Sequence, residues 1–143
     1  MDLGHWLAKE GTVCSEDMFG FVYEIINTTN NKTYIGKKQC CRKVRKKPLK
    51  GKKKNRIELK ESDWKGYTGS SFDLNEDIMK LGKDKFTFTI IKICGSKWEL
   101  GYEEIKEQIK RDVLLQENFY NGIINVRIGR PPKSLLNKKS ILN

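Results

Sequence analysis

Apolar and aromatic positions fall into clusters along the chain, and the spacing within each cluster predicts its element. Residues 21–26 (Phe-Val-Tyr-Glu-Ile-Ile) and 32–37 (Lys-Thr-Tyr-Ile-Gly-Lys) are two β-rich runs flanking an Asn- and Thr-rich turn at 27–31. This is the pattern of a β-hairpin. If the loop is the four residues 28–31, Ile25 faces Tyr34, and Tyr23 lies diagonally beside Tyr34 on the same sheet face. An odd-length loop would put the two tyrosines on opposite faces. Gly36 lets another backbone or a phosphate come close. Residues 86–94 (Phe-Thr-Phe-Thr-Ile-Ile-Lys-Ile-Cys) read as a third strand beside the hairpin.

Helical spacing appears in two places. Ser70 or Ser71 can cap a helix over 72–81, with Phe72, Leu74, Ile78, Met79 and Leu81 as its core stripe and Gly82 at its end. Ser96-Lys-Trp-Glu99 is a capping box that starts a second helix running to about Leu115. Leu100, Ile105, Ile109 and Val113 are expected to face inward there. An N-terminal arm, 1–19, has Leu3, Trp6 and Leu7 at the spacing of a helical face. His5, the single histidine, is expected to be a packing or surface residue. The loop residues Trp64 and Tyr67 either stack on bases or close the core. Residues 123–128 form a last short strand or extended segment. The fold class is therefore α+β, a small three-stranded antiparallel sheet flanked by helices.

Charge changes this picture in one region. The net charge is +11, from 29 basic and 18 acidic residues. Residues 37–60 hold 13 basic residues against one acidic, Glu58, so the rest of the chain is nearly neutral. Pro48 and Gly51 break any long helix, which predicts an inserted basic ribbon or loop with its tip near Gly51. A helix over 39–46 is the rival. The concentrated charge points to a polyanion, and Lys43, Lys46, Lys47, Lys52, Lys53, Lys54 and Arg56 are the candidate phosphate contacts. A tail, 129–143, opens with Gly129-Arg-Pro-Pro-Lys133. Its Arg130 resembles the core of an AT-hook, which reads narrow minor grooves.

The four cysteines show no Cys-x-x-Cys spacing and are expected to be free thiols. No run of apolar residues reaches membrane-spanning length, and the N-terminus lacks the basic-then-apolar order of a signal peptide. A cytoplasmic protein is expected. With one histidine, His-based acid–base chemistry is nearly excluded.

Phe21-Val22-Tyr23, a short Asn-rich turn, and Tyr34-Ile35-Gly36 resemble the signature of the GIY-YIG nucleases, with Phe-Val in place of Gly-Ile in the first half. The order of elements over 20–128 is similar to small phage-type members related to GIY-YIG homing endonucleases. The resemblance implies a DNA endonuclease, acting on duplex in preference to single-stranded DNA, with one divalent metal, Mg²⁺ or Mn²⁺. It implies Glu104, in preference to Glu103, as the metal ligand. It implies Tyr23 as general base or water-orienting group, with Lys37 and Lys38 lowering its pKa. Tyr34 would position water or phosphate, and Asn121 would orient the glutamate or the sheet. The family also uses an arginine on the helix after the Tyr-Ile-Gly strand. Arg42 and Arg45 are nearest to that spacing, and Lys38 could substitute. The alternative is a non-catalytic nucleic-acid-binding protein on the same fold. A third reading is a small basic RNA-associated protein.

Overall fold

A computed structural model of the chain describes residues 1–125 and 127–136. Strand β1 is Leu7–Ala8, β2 Gly20–Asn27, β3 Lys32–Gln39, β4 Cys41–Lys46, β5 Arg56–Glu61 and β6 Phe86–Cys94. Helix α1 is Phe72–Leu81 and α2 is Lys97–Lys110. One sheet has the order β1-β6-β2-β3, and β4-β5 form a separate two-stranded ribbon. The class is α+β as expected. The main sheet is four-stranded and mixed, because the arm adds β1 parallel to β6.

The hairpin has the register of the four-residue loop. Ile25 pairs with Tyr34 and Tyr23 with Gly36, so Tyr23 and Tyr34 lie diagonally on one face. The turn closes because Asn31 takes a left-handed backbone, φ 61°, which asparagine tolerates better than most residues. The Asn27 carboxamide accepts from Thr29 N and donates to the Tyr120 hydroxyl, so a fully buried side chain ties the turn to the C-terminal segment. Between β2 and β6 the register shifts at Val22/Tyr23. Such an irregularity bends the strand locally and re-aims a side chain, and here it sits at the strand's only tyrosine.

β2 is central, and both its faces are covered. Phe21, Tyr23 and Ile25 pack with Trp6, Trp64, Leu74, Phe88 and Ile90 on one side. Val22 packs with Ile35, Cys94, Leu100 and Val113 on the other. Trp64 therefore closes the core. The arm carries no helix. Trp6 is 2% exposed and Leu7 faces solvent, the alternation of an extended segment. Burying the indole contributes roughly 1.5–3 kcal/mol.

Both helices differ from their expected faces. In α1 only Leu74 is fully buried, while Phe72 and Met79 are exposed. α2 ends at Lys110, its Ile109 is exposed, and its buried face is Leu100, Gly101, Glu104 and Gln108. An apolar stripe was expected there, yet half of the buried face is polar. Val113 is buried beyond the end of the helix. Residues 123–125 form no strand, and Val126 of that segment and residues 137–143 of the tail lie outside the described residues. The ribbon expectation holds over the helical rival. β4 and β5 pair from Cys41↔Glu61 to Lys46↔Arg56, with Gly51 in the connecting loop.

His5 is a packing residue, its ring stacked on Phe88 at 4.0 Å. Burial, with Lys83 nearby, holds its pKa down to about 4 from 6.5, the Tyr67 backbone offsetting part of this. Between those values the unfolded chain binds a proton that the folded chain rejects. Stability due to His5 is therefore complete above pH 6.5 and falls as pH drops toward 4. Melting temperatures from pH 7.5 to 4.5 should fall more steeply for the wild type than for His5→Phe, which keeps the stack and cannot titrate.

Candidate active site

β3 is an edge strand of the sheet, so side chains from both sheet faces can meet over its outer edge. That edge is covered at Thr33 and Ile35. Asn121 mimics a neighbouring strand, accepting from Ile35 N at 3.0 Å and donating to Ile35 O at 2.8 Å. Thr33 pairs with Phe119 in an isolated bridge, and the Tyr120 hydroxyl donates to Asp77 Oδ2 at 2.7 Å. The C-terminal segment thereby fixes β3 against both α1 and the hairpin turn.

A cleft of about 460 Å³ opens over this edge. Its chemically active lining is Tyr34, Lys37, Asp73, Glu104, Gln108 and Asn121. The N-terminus of α1 also faces it, through Ser70, Ser71 and Phe72. Ser71 caps α1 by accepting from Leu74 N, and Ser70 Oγ lies 3.0 Å from the Tyr34 hydroxyl. Free amides at a helix N-terminus favour an anion in such a cleft.

Tyr23 does not line the cleft; it is 1% exposed and packed behind Tyr34, its ring 6.1 Å from that of Tyr34. Gly36 makes this arrangement possible. A Cβ there would fall 2.5 Å from the Tyr23 hydroxyl oxygen and 2.9 Å from Tyr34 Cε1. Burial pushes the Tyr23 pKa well above its ordinary value, and Tyr34, Tyr67 and Glu104 add to the shift. This reverses the expectation that Lys37 and Lys38 lower it. Tyr34 and Tyr67 are raised as well, chiefly by burial. In the resting chain all three are neutral phenols.

The two lysines after Gly36 point to opposite faces. Lys37 Nζ is 3.9 Å from Glu104 Oε1. Lys38 turns away, 2.7 Å from Asp63 Oδ1 and 4.0 Å from the centre of the Tyr67 ring. Lys38 lines a second cleft together with Arg42, Glu61 and Asp63. Arg42 and Arg45 are exposed on β4, and neither lines the Glu104 cleft. α1 carries no arginine. The cation beside the carboxylate is thus Lys37. Of the other predicted contacts, Lys43, Lys46, Lys47, Lys52, Lys53, Lys54 and Arg56 are all exposed on the ribbon or its loop, and Arg130 is exposed near Trp98.

Glu104 is 9% exposed, and burial raises its pKa against the opposing pull of Lys37. Gln108, one helical turn later, is 5% exposed. Its Nε2 donates to Ile35 O, leaving Oε1 buried with no hydrogen-bond partner among the described residues. An orphaned buried acceptor costs about 1–3 kcal/mol, so this atom calls for a donor or cation that the described residues do not supply. No group of three His, Cys, Asp or Glu side chains that could hold a metal occurs among the described residues. Mg²⁺ and Mn²⁺ do not require one. A hard cation that retains water binds through one or two carboxylates plus substrate phosphate, and Glu104 with the unsatisfied Gln108 oxygen fits that chemistry. Gln108 carried no role in the sequence, although its i+4 spacing from Glu104 places both on one helix face.

A family model described as "Putative endonuclease segE, GIY-YIG domain" matches residues 6–124. No curated protein and no solved structure matches the chain. No helix among the described residues is long and apolar enough to cross a membrane.

Proposed function

From the premise that the chain belongs to the GIY-YIG nuclease family, we propose that it is an endonuclease that hydrolyses phosphodiester bonds in duplex DNA, with Glu104 holding one Mg²⁺ or Mn²⁺. The observation that carries this reading is the meeting of Tyr34, Lys37, Glu104 and the unsatisfied Gln108 in one cleft, with Tyr23 packed against Tyr34. A bound divalent ion would neutralise charge on the phosphate and on the leaving oxygen.

The side chains supply the rest. Lys37 faces the oxygens of the scissile phosphate in place of the family's arginine, as a point charge without the bidentate fork. The N-terminus of α1, with Ser70 and Ser71, faces the same phosphate from the other side. Tyr23, held neutral by burial, orients water through its hydroxyl oxygen rather than waiting as a phenolate. Tyr34 positions the phosphate, its own hydroxyl steadied by Ser70. Gln108 Oε1 accepts a hydrogen bond from a water in the cleft and keeps that water in place. Asn121 acts on none of these atoms directly. It holds Ile35, and with it the flanking Tyr34, in position. The ribbon lysines track neighbouring phosphates, which makes binding strongly salt-dependent.

One observation favours a second reading, a nucleic-acid-binding protein without catalysis: no arginine lines the cleft. Incubation of the full chain with supercoiled plasmid and Mg²⁺ or Mn²⁺ decides between them. Nicked and linear DNA, suppressed by a chelator, is the expected result. Absence of cleavage with either metal on plasmid, branched and single-stranded DNA would overturn the nuclease and leave the binder.

A further inference from the structure

We propose a second nucleic-acid site next to the cleft, a groove in which an unpaired nucleotide stacks on Trp98. It deepens the nuclease reading, because Lys37 borders both the cleft and the groove.

Ser96 caps α2, which places Trp98 in the first turn and Tyr102 one turn later. The two rings stack, with centroids 4.8 Å apart and planes within 15°. Trp98 Nε1 donates to Gly129 O at 2.8 Å. This bond holds the segment after residue 126 along the start of α2. The groove between them is about 700 Å³, lined by Lys37, Lys97, Trp98, Arg127, Arg130 and two prolines among others.

Charge identifies the occupant. No carboxylate among the described residues lines the groove. Lys97, Arg127 and Arg130 enter no ion pair among the described residues. They share this with the exposed lysines of the ribbon, whereas Lys38 is matched by Asp63 and Arg111 by Glu24 and Glu107. Three unmatched cations, a helix N-terminus and an aromatic surface suit a ligand with phosphates and a flat ring system. Trp6 and Trp64 are each 2% exposed and buried in the core; Trp98 is the accessible tryptophan. Bases inside a duplex are stacked on each other and offer no free face to an indole. Only a nucleotide out of the stack can use Trp98. The strand crossing Lys37 is the one that reaches it, so the substrate has, or acquires, an unpaired nucleotide beside the scissile phosphate.

The test measures binding by fluorescence anisotropy in the presence of chelator, so that nothing is cleaved. Blunt duplex is compared with the same duplex carrying a short single-stranded extension, at the 5′ end or at the 3′ end. For the wild type, one of the two extensions should tighten binding roughly tenfold and quench the Trp98 emission. Trp98→Ala should lose that increment and leave the affinity for blunt duplex unchanged, and Trp98→Phe should keep most of it. The inference is overturned if neither extension helps the wild type. It is equally overturned if Trp98→Ala retains the increment or weakens both duplexes alike, which would mark a purely structural residue or a groove meant for a protein partner. Thermal melts of both variants guard against misfolding. Plasmid cleavage by the wild type with metal reports on the nuclease reading separately.

Discussion

Glu104→Gln leaves the fold intact and removes nicking activity by roughly 10³-fold or more, if the Glu104 carboxylate holds the metal. The scale comes from the several kcal/mol a metal supplies to charge stabilisation, at tenfold per 1.36 kcal/mol. The side chain is 9% exposed, and its one ion-pair partner among the described residues, Lys37, is 3.9 Å away. Burial wins over that partner, since the pKa of Glu104 is raised. The charged form of the carboxylate is therefore penalised in the fold, and the neutral amide of nearly the same shape escapes that penalty. The melting temperature of Glu104→Gln should equal or exceed that of the wild type. Activity and stability then move in opposite directions, the signature of a functional rather than a structural group. Nicking rates and a thermal melt check both halves, and binding of Mn²⁺ followed by electron paramagnetic resonance should weaken in the variant. Retained cleavage would remove Glu104 from the site.

Gly36→Ala should damage stability and activity together. The added methyl would sit 2.5 Å from the Tyr23 hydroxyl oxygen, 2.6 Å from Cζ and 2.9 Å from Tyr34 Cε1. These are ring atoms, which cannot swing aside as a flexible chain end would. Tyr23 is fixed further by Trp6, Phe21 and Tyr67 around it. Overpacking of this kind costs about 1–3 kcal/mol, roughly 3 to 12 °C for a domain of this size. A displacement of about 1 Å at the two phenols would lower the cleavage rate roughly 10²-fold. Gly66→Ala is the control, because a Cβ there meets nothing within 4 Å. If Gly36→Ala melts and cleaves like the wild type, the phenols are not held as described.

The hairpin was legible from its strand pattern and turn chemistry, but its register hung on the loop length, which only the structure decides, pairing Ile25 with Tyr34. Both helix starts were legible because Ser71 and Ser96 are caps whose side chains accept the expected amides. The arm was misread for a physical reason. Leu3, Trp6 and Leu7 are spaced as on a helix, yet β6 offers a free edge, and pairing with it outweighs local periodicity. The inner face of α2 was misread because apolar residues were sought there, whereas Glu104 and Gln108 are buried. Burying polar groups against a sheet makes little sense for stability alone, and this departure coincides with the candidate site. The direction of Lys37 was not readable either. Adjacent lysines are equivalent in a sequence, and only the alternation of an edge strand sends one to Glu104 and the other to Asp63.

The ribbon leaves and rejoins the sheet at residues that are Cα partners, Cys41 and Glu61. Its root is closed by Ser62 N donating to Cys40 O and by Ser62 Oγ donating to Gln39 O. Nothing in the two cores depends on its length, since no β4 or β5 residue belongs to either of them. In evolutionary terms the ribbon is a cassette. On the proposed nuclease reading, insertions and deletions between Lys46 and Arg56 would lengthen or shorten the reach along DNA without disturbing the residues at β3, so target preference and catalysis would be free to be selected independently.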